Sequence, residues 1–188
     1  MDAAIEYDGL HTVDEINELP EGQRAEIIDG VWYDMATPTT THQLIVSTIQ
    51  AEFRNHIRAN NGKCVTLVSP FAVFINDEDI HNYVEPDVSV VCDPDKLDEK
   101  GCHGAPDLVV EVVSPSSRRL DYIIKLNKYL EAGVKEYWIV DPLTRKTHIY
   151  YFAGEDEGFE LKEAGFDEDI SSYLYPGFTI NISNEASV

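Results

Sequence analysis

The chain has 188 residues, 43% of them hydrophobic, and a formal net charge of −21. That size supports one sizeable core, so a single domain over residues 1–188 is expected. The charge argues against general affinity for nucleic acid, and no run of 18 apolar residues is present to span a membrane.

The opening stretch, MDAAIEYDGL, is acidic and lacks an apolar h-region, so no secretory leader is expected. TVDEINELP then predicts a short helix capped by Thr12 and closed by Pro20. RAEIIDGVWYDM predicts two strands turning at Asp29-Gly30. A long helix follows over THQLIVSTIQAEFRNHIRANNG, with Leu44, Ile45, Ile49, Phe53 and Ile57 at helical spacing. Strands are predicted at CVTLV, FAVFI, DVSVV and DLVVEVV.

A second helix, SRRLDYIIKLNKYLEAG, runs from Ser117 as N-cap to Gly133 as stop. Its expected apolar face is Leu120, Ile123, Ile124 and Leu130, which leaves Asp121 and Lys125 as a solvated pair. The remaining strands are EYWIV and THIYYF, with FELKEA and FTINI weaker. Strand–helix–strand over 107–140 implies a parallel pair, whereas DVSVV and DLVVEVV should be antiparallel neighbours. Together these elements predict an α/β domain with a mixed sheet.

Three cysteines without a C-x-x-C pair suit a reducing cytoplasm better than a disulfide framework. A zinc shared by Cys92, Cys102 and His103 fits no common spacing. Half of the basic residues fall within 118–146, while the acids gather in the first 30 residues and in EDEGFELKEAGFDED, where a solvated surface is the plain expectation.

Glu111 stands out because it interrupts the apolar strand DLVVEVV, and a buried charge is normally paired or bound to a metal. Alternation puts it on one face with Asp107, Val109 and Val113. Asp107 is too far along the strand to share a cation with it. Asp87, at the start of the neighbouring strand, is the better partner. Two such carboxylates suit magnesium. A salt bridge to a nearby arginine, or an exposed strand edge, remains open for Glu111. Asp121, Lys125 and Tyr129, spaced by four, share one side of the following helix.

EPDVSVV, PDLVVEVVSPSS, the D-x-x-x-K-x-x-x-Y helix and AGVKEYWIVDP occur in an order that resembles the Uma-type restriction endonuclease family, a branch of the PD-(D/E)XK nuclease superfamily. The resemblance spans residues 20–180. It implies a restriction-endonuclease-like core, with a central mixed β-sheet flanked by helices and extra antiparallel strands. It also implies hydrolysis of DNA phosphodiester bonds with Mg²⁺ or Mn²⁺. Asp87 matches the PD aspartate and Glu111 the acidic residue of the second element, with the Val112 carbonyl as a third metal ligand.

The lysine of that second element would fall at Val113, so the resemblance transfers its role to Lys125 on the helix. Glu26 is implied as a supporting acid, and His42 and Tyr129 as flanking groups. Arg118 and Arg119, at the helix start, are candidate phosphate contacts or plain surface charge. The competing reading is a non-catalytic interaction or regulatory module that keeps a nuclease fold. The tyrosines at 122 and 129 and the run Tyr150, Tyr151, Phe152 suggest a homodimer or a rich core.

Overall fold

The structure is a computed structural model and describes residues 9–76, 79–154 and 158–185. The first eight residues, to which the leader expectation applies, lie outside it. Helix α1 (Val13–Asn17) opens the chain, with the Glu15 carboxylate accepting from the Thr12 N–H at 2.7 Å. The hairpin of β1 (Ala25–Ile28) and β2 (Val31–Asp34) turns at Asp29 and Gly30, both left-handed, as a tight two-residue turn requires.

Helix α2 (Thr40–Ala59) is capped by Thr39, whose side chain accepts from the His42 N–H. There follow β3 (Val65–Val68), β4 (Val73–Phe74), β5 (Val88–Val91), β6 (Cys102–His103) and β7 (Leu108–Val112). A π-helical segment, Leu120–Lys125, runs into α3 (Leu126–Ala132), and Gly133 stops it at φ 84°. The chain ends with β8 (Glu136–Asp141), β9 (Lys146–Gly154), β10 (Gly158–Gly165), β11 (Ile170–Ser171) and β12 (Thr179–Ile180).

Six strands form the central sheet in the order β10-β9-β8-β7-β5-β3. Within this sheet only β7 and β8 pair in parallel, and they are joined by a helical crossover; β5 and β7 run antiparallel. Two predicted strands shrink. FAVFI keeps only β4, which joins β6 in a small parallel pair, and FTINI keeps only β12 beside β11.

Alternation along β7 sends Leu108, Val110 and Val112 into one layer with Ile45, Ile49, Phe53 and Ile57 of α2, and Val109 and Val113 into the other. In that second layer the helical wheel holds only for Leu120 and Ile124, which pack against the core. Ile123 is 55% and Leu130 40% exposed, whereas Asp121, Lys125 and Tyr129 are buried. The π turn shifts the angular register that a regular α-helix would keep, and ion pairing replaces the missing apolar contact. Tyr129, Tyr150 and Phe152 are likewise buried in this layer and serve the core, whereas Tyr122 and Tyr151 are half-buried.

The cysteine expectation is also corrected. Cys64 and Cys92 are joined in a disulfide, and Cys102 alone is free and buried. The two lie 28 residues apart but face each other one step beyond the Val65–Val91 pair of β3 and β5. Among the described residues no helix is long and apolar enough to cross a membrane.

Candidate active site at the end of the β5–β7 pair

The β5–β7 register pairs Val88 with Val110, so Asp87 and Glu111 stand opposite each other one step further on. There the two strands part. The Val112 N–H donates to Asp87 Oδ2 at 2.7 Å, so a side chain takes the place of a ladder bond. The Asp87 N–H points back at Glu111 Oε2 from 3.4 Å. His42, in the first turn of α2, brings Nε2 to 3.1 Å from Asp87 Oδ2, while its buried Nδ1 has no partner among the described residues.

Glu111 is 4% exposed and faces the helical crossover. Lys125 Nζ donates to Glu111 Oε1 at 2.8 Å and to Glu26 Oε1 at 2.9 Å. Tyr129 donates its hydroxyl to the same Glu111 oxygen at 2.8 Å. Glu26 comes from β1 and is held by the Glu85 N–H at 2.9 Å. Glu85 in turn accepts from Tyr83 at 2.7 Å and pairs with Arg24. Asp121 is buried one turn before Lys125 and accepts from Ser117 Oγ at 2.6 Å. The Ser117 hydroxyl is thus turned to a carboxylate, not to the helix N–H groups that its N-cap assignment anticipated.

Burial pushes the Glu111 carboxyl well above its ordinary pKa; the Lys125 charge opposes this, and the charges of Asp87, Asp121 and Glu26 add to it. For Lys125 burial works against the charge, but Glu111, Glu26 and Asp121 outweigh it and hold the ammonium protonated. Burial lifts Asp121 to about 6 against the pull of Lys125 and Ser117. Burial also lowers the affinity of His42 for a proton, yet Asp87 and the Val112 carbonyl more than restore it, and its pKa rises. Tyr129, raised by burial and by Glu111, stays a hydroxyl donor.

Asp87, Glu111, Lys125, Glu26, Tyr129 and His42 are thus brought together by β5, β7, the π segment, β1, α3 and α2. Arg118 is drawn away into a 2.7 Å pair with Asp141, and its guanidinium lies over Tyr122; Arg119 is exposed at the helix start. Asp121, Arg24 and Glu85 belong to the same network and were not among the expected site residues. Asp121 carried a signal, the spacing of four to Lys125 and Tyr129. Arg24 and Glu85 carried none, because their link across 61 residues exists only in three dimensions.

Among the described residues, no three histidine, cysteine or acidic side chains converge closely enough to hold an ion by themselves. Asp87, Glu111 and the Val112 carbonyl are an all-oxygen set of two carboxylates and one backbone group. That fits magnesium, which typically takes one or two carboxylates and keeps several waters. It does not fit zinc, whose sites draw mainly on cysteine and histidine.

Residues 13–183 match the Uma2 family, described as "Putative restriction endonuclease". An uncharacterized protein of Synechocystis sp. is 30% identical over 135 residues, 71% of this chain and 69% of that protein. Among solved structures, "a putative nuclease belonging to DUF820" from Anabaena variabilis superimposes with a TM-score of 0.71. It covers 94% of this chain and 97% of its own at 19% identity, a likeness of fold.

Proposed function

Since the chain belongs to the Uma2 family, we propose that it is a divalent-metal-dependent endonuclease that hydrolyses phosphodiester bonds of DNA. The observation that carries this reading is the convergence of Asp87, Glu111 and a buried, charged Lys125 where β5 and β7 part. Five carboxylates, of Glu26, Glu85, Asp87, Glu111 and Asp121, face only two fixed cations, Lys125 and Arg24, in this network. Like charges at such proximity favour a bound proton or a bound cation.

In this reading Asp87, Glu111 and the Val112 carbonyl hold Mg²⁺ or Mn²⁺. Such an ion supplies polarisation of the phosphate and a lowered pKa for a bound water. Lys125 contributes a positive charge beside Glu111, where negative charge develops on the phosphate in the transition state. Glu26 and Tyr129 position that pair: one anchors the ammonium, the other fixes the Glu111 carboxylate. His42 orients Asp87.

The test is cleavage of duplex DNA with Mg²⁺ or Mn²⁺, together with calorimetric Mn²⁺ binding to wild type, Asp87→Asn and Glu111→Gln. Acidic surfaces bind divalent ions weakly, so the signal is one site present in wild type and lost in both variants. Glu111→Gln should abolish cleavage and leave the fold intact. Equal ion binding by all three proteins would overturn the metal assignment. Glu111 would then be a structural ion-pair partner of Lys125, in a module that has a nuclease fold without its chemistry.

A further inference from the structure

We infer that the polar stripe of α2 ending in Arg54 and Arg58, with Lys63 beside it, is a docking surface for the phosphate backbone of nucleic acid. The inference takes its ligand from the nuclease reading, but the surface itself rests on separate observations. The chain carries 35 acidic residues against 14 lysines and arginines. Six of those cations are already engaged: Arg24, Arg118, Lys125, Lys128, Lys135 and Lys146 all sit in ion pairs. Arg54, Arg58 and Lys63 are exposed, and among the described residues they pair with no carboxylate.

These three lie together. Arg54 and Arg58 line a hollow of about 310 Å³ with Ile57, Cys64, Val65 and Thr66, between the end of α2 and the edge strand β3. Lys63 sits in the connection between them.

The stripe continues from the hollow back along α2. Gln43, Ser47, Gln50, Arg54 and Arg58 follow spacings of four and three, so they lie on one side of the helix. Gln50 also donates to Thr66 on β3 at 2.9 Å, which ties the stripe to the sheet edge. The single acid of α2, Glu52, is two residues from both Gln50 and Arg54 and therefore points away from them. In a chain of net charge −21, a twenty-residue helix with one acid offers a side where a polyanion is not repelled. Arginine, lysine, serine and glutamine are the side chains that contact phosphate oxygens without reading sequence.

The stripe is also placed for the chemistry. It begins at Gln43, next to His42 in the candidate site, and ends at Arg58. Sixteen residues of helix separate His42 from Arg58, about 24 Å at 1.5 Å per residue. At 3.4 Å per strand step that is about seven phosphates. A backbone held at the far end of α2 would thus lead towards Asp87.

The experiment is fluorescence anisotropy of a labelled 20-base-pair duplex in EDTA, where nothing is cut, over a range of salt concentrations. Each lost phosphate contact removes about 0.9 from the slope of log K against log salt. The triple variant Arg54→Gln, Arg58→Gln, Lys63→Gln should bind more weakly, with a slope shallower by about 2 to 3. Lys100→Gln, an exposed cation elsewhere, should lose at most one such contact's worth. The double variant Arg54→Lys, Arg58→Lys should retain the wild-type slope.

An unchanged slope in the triple variant overturns the inference, as does a wild type that does not bind the duplex at low salt. So does sedimentation showing a wild-type dimer that the triple variant dissolves, because the patch would then serve the acidic surface of a second copy. Failure of the nuclease reading registers elsewhere, in absent cleavage and in Mn²⁺ binding that Glu111→Gln leaves unchanged.

Discussion

The two layers packed on the central sheet are built on different physics. On the α2 side, Phe53 stacks on Phe178 with ring centroids 4.1 Å apart, edge-on to Trp138, amid Ile45, Ile49 and Ile57. One carboxylate, Glu136, is buried at the margin of that layer, and its partners are neutral donors: Trp138, Ser172 and the Leu174 N–H. On the α3 side, the same strand β7 sends Glu111 into a layer that already holds Lys125, Glu26 and Asp121. The first layer is held mainly by area removed from water, a contribution that does not itself depend on pH. The second depends on charge balance among groups that each lose solvation on burial.

Removing the central cation should break this contrast most sharply. Lys125→Met leaves Glu111 and Glu26 buried without their counter-ion, which costs about 3–5 kcal/mol in urea unfolding at pH 7. The loss should shrink as the pH falls, because the orphaned carboxyls then take up protons. Ile49→Ala on the other layer removes buried apolar volume and costs about 2–5 kcal/mol, with no change in that cost between pH 5 and 8. If both penalties proved independent of pH, the layers would not differ in kind.

The same contrast decided how much was legible in the sequence. The α2 layer could be read because burial there mostly follows hydrophobicity: Ile45, Ile49, Phe53 and Ile57 announce their side of the helix by spacing, while Leu44 of the expected set is 37% exposed. The parallel β7–β8 pair and the antiparallel β5–β7 pair were equally readable, since a helical crossover dictates one and a turn-rich connection permits the other. In the α3 layer hydrophobicity gives half an answer: Leu120 and Ile124 pack on the core, but Ile123 and Leu130 do not. Lys125 is 3% exposed and Ile123 is not buried, because the lysine finds two carboxylates that come from β1 and β7, 99 and 14 residues away. No local pattern carries that. The Cys64–Cys92 bond was hidden for the same reason, as it depends on the β3–β5 register.

Asp121 sharpens the comparison through pH. Its folded pKa, about 6, lies above the ordinary value of 3.8, so the folded chain binds this proton more tightly than the unfolded chain. The stability it contributes is therefore complete below pH 3.8 and is lost as the pH rises through 6. Asp121→Asn keeps an acceptor for Ser117 and removes the titration. It should flatten the fall in stability between pH 4 and 6 and raise stability at pH 7 by on the order of 3 kcal/mol. Urea midpoints across that range measure it, and a variant less stable than wild type at pH 7 would show that Asp121 is needed as a charge by Lys125.

Ile123 gives the smallest effect and the most direct test of how the α3 layer is organised. A regular helical wheel makes it a core residue, and its loss would then resemble that of Ile49. The structure leaves it 55% exposed at the middle of the π turn, while its neighbours Asp121 and Lys125 turn inward. Ile123→Gln should therefore change stability by no more than about 0.5 kcal/mol, as substitutions on open surface do. A penalty as large as that of Ile49→Ala would mean that the segment is wound as a regular α-helix in solution. Lys125 would then rotate away from Glu111, and the charge balance that defines this layer would be lost with it.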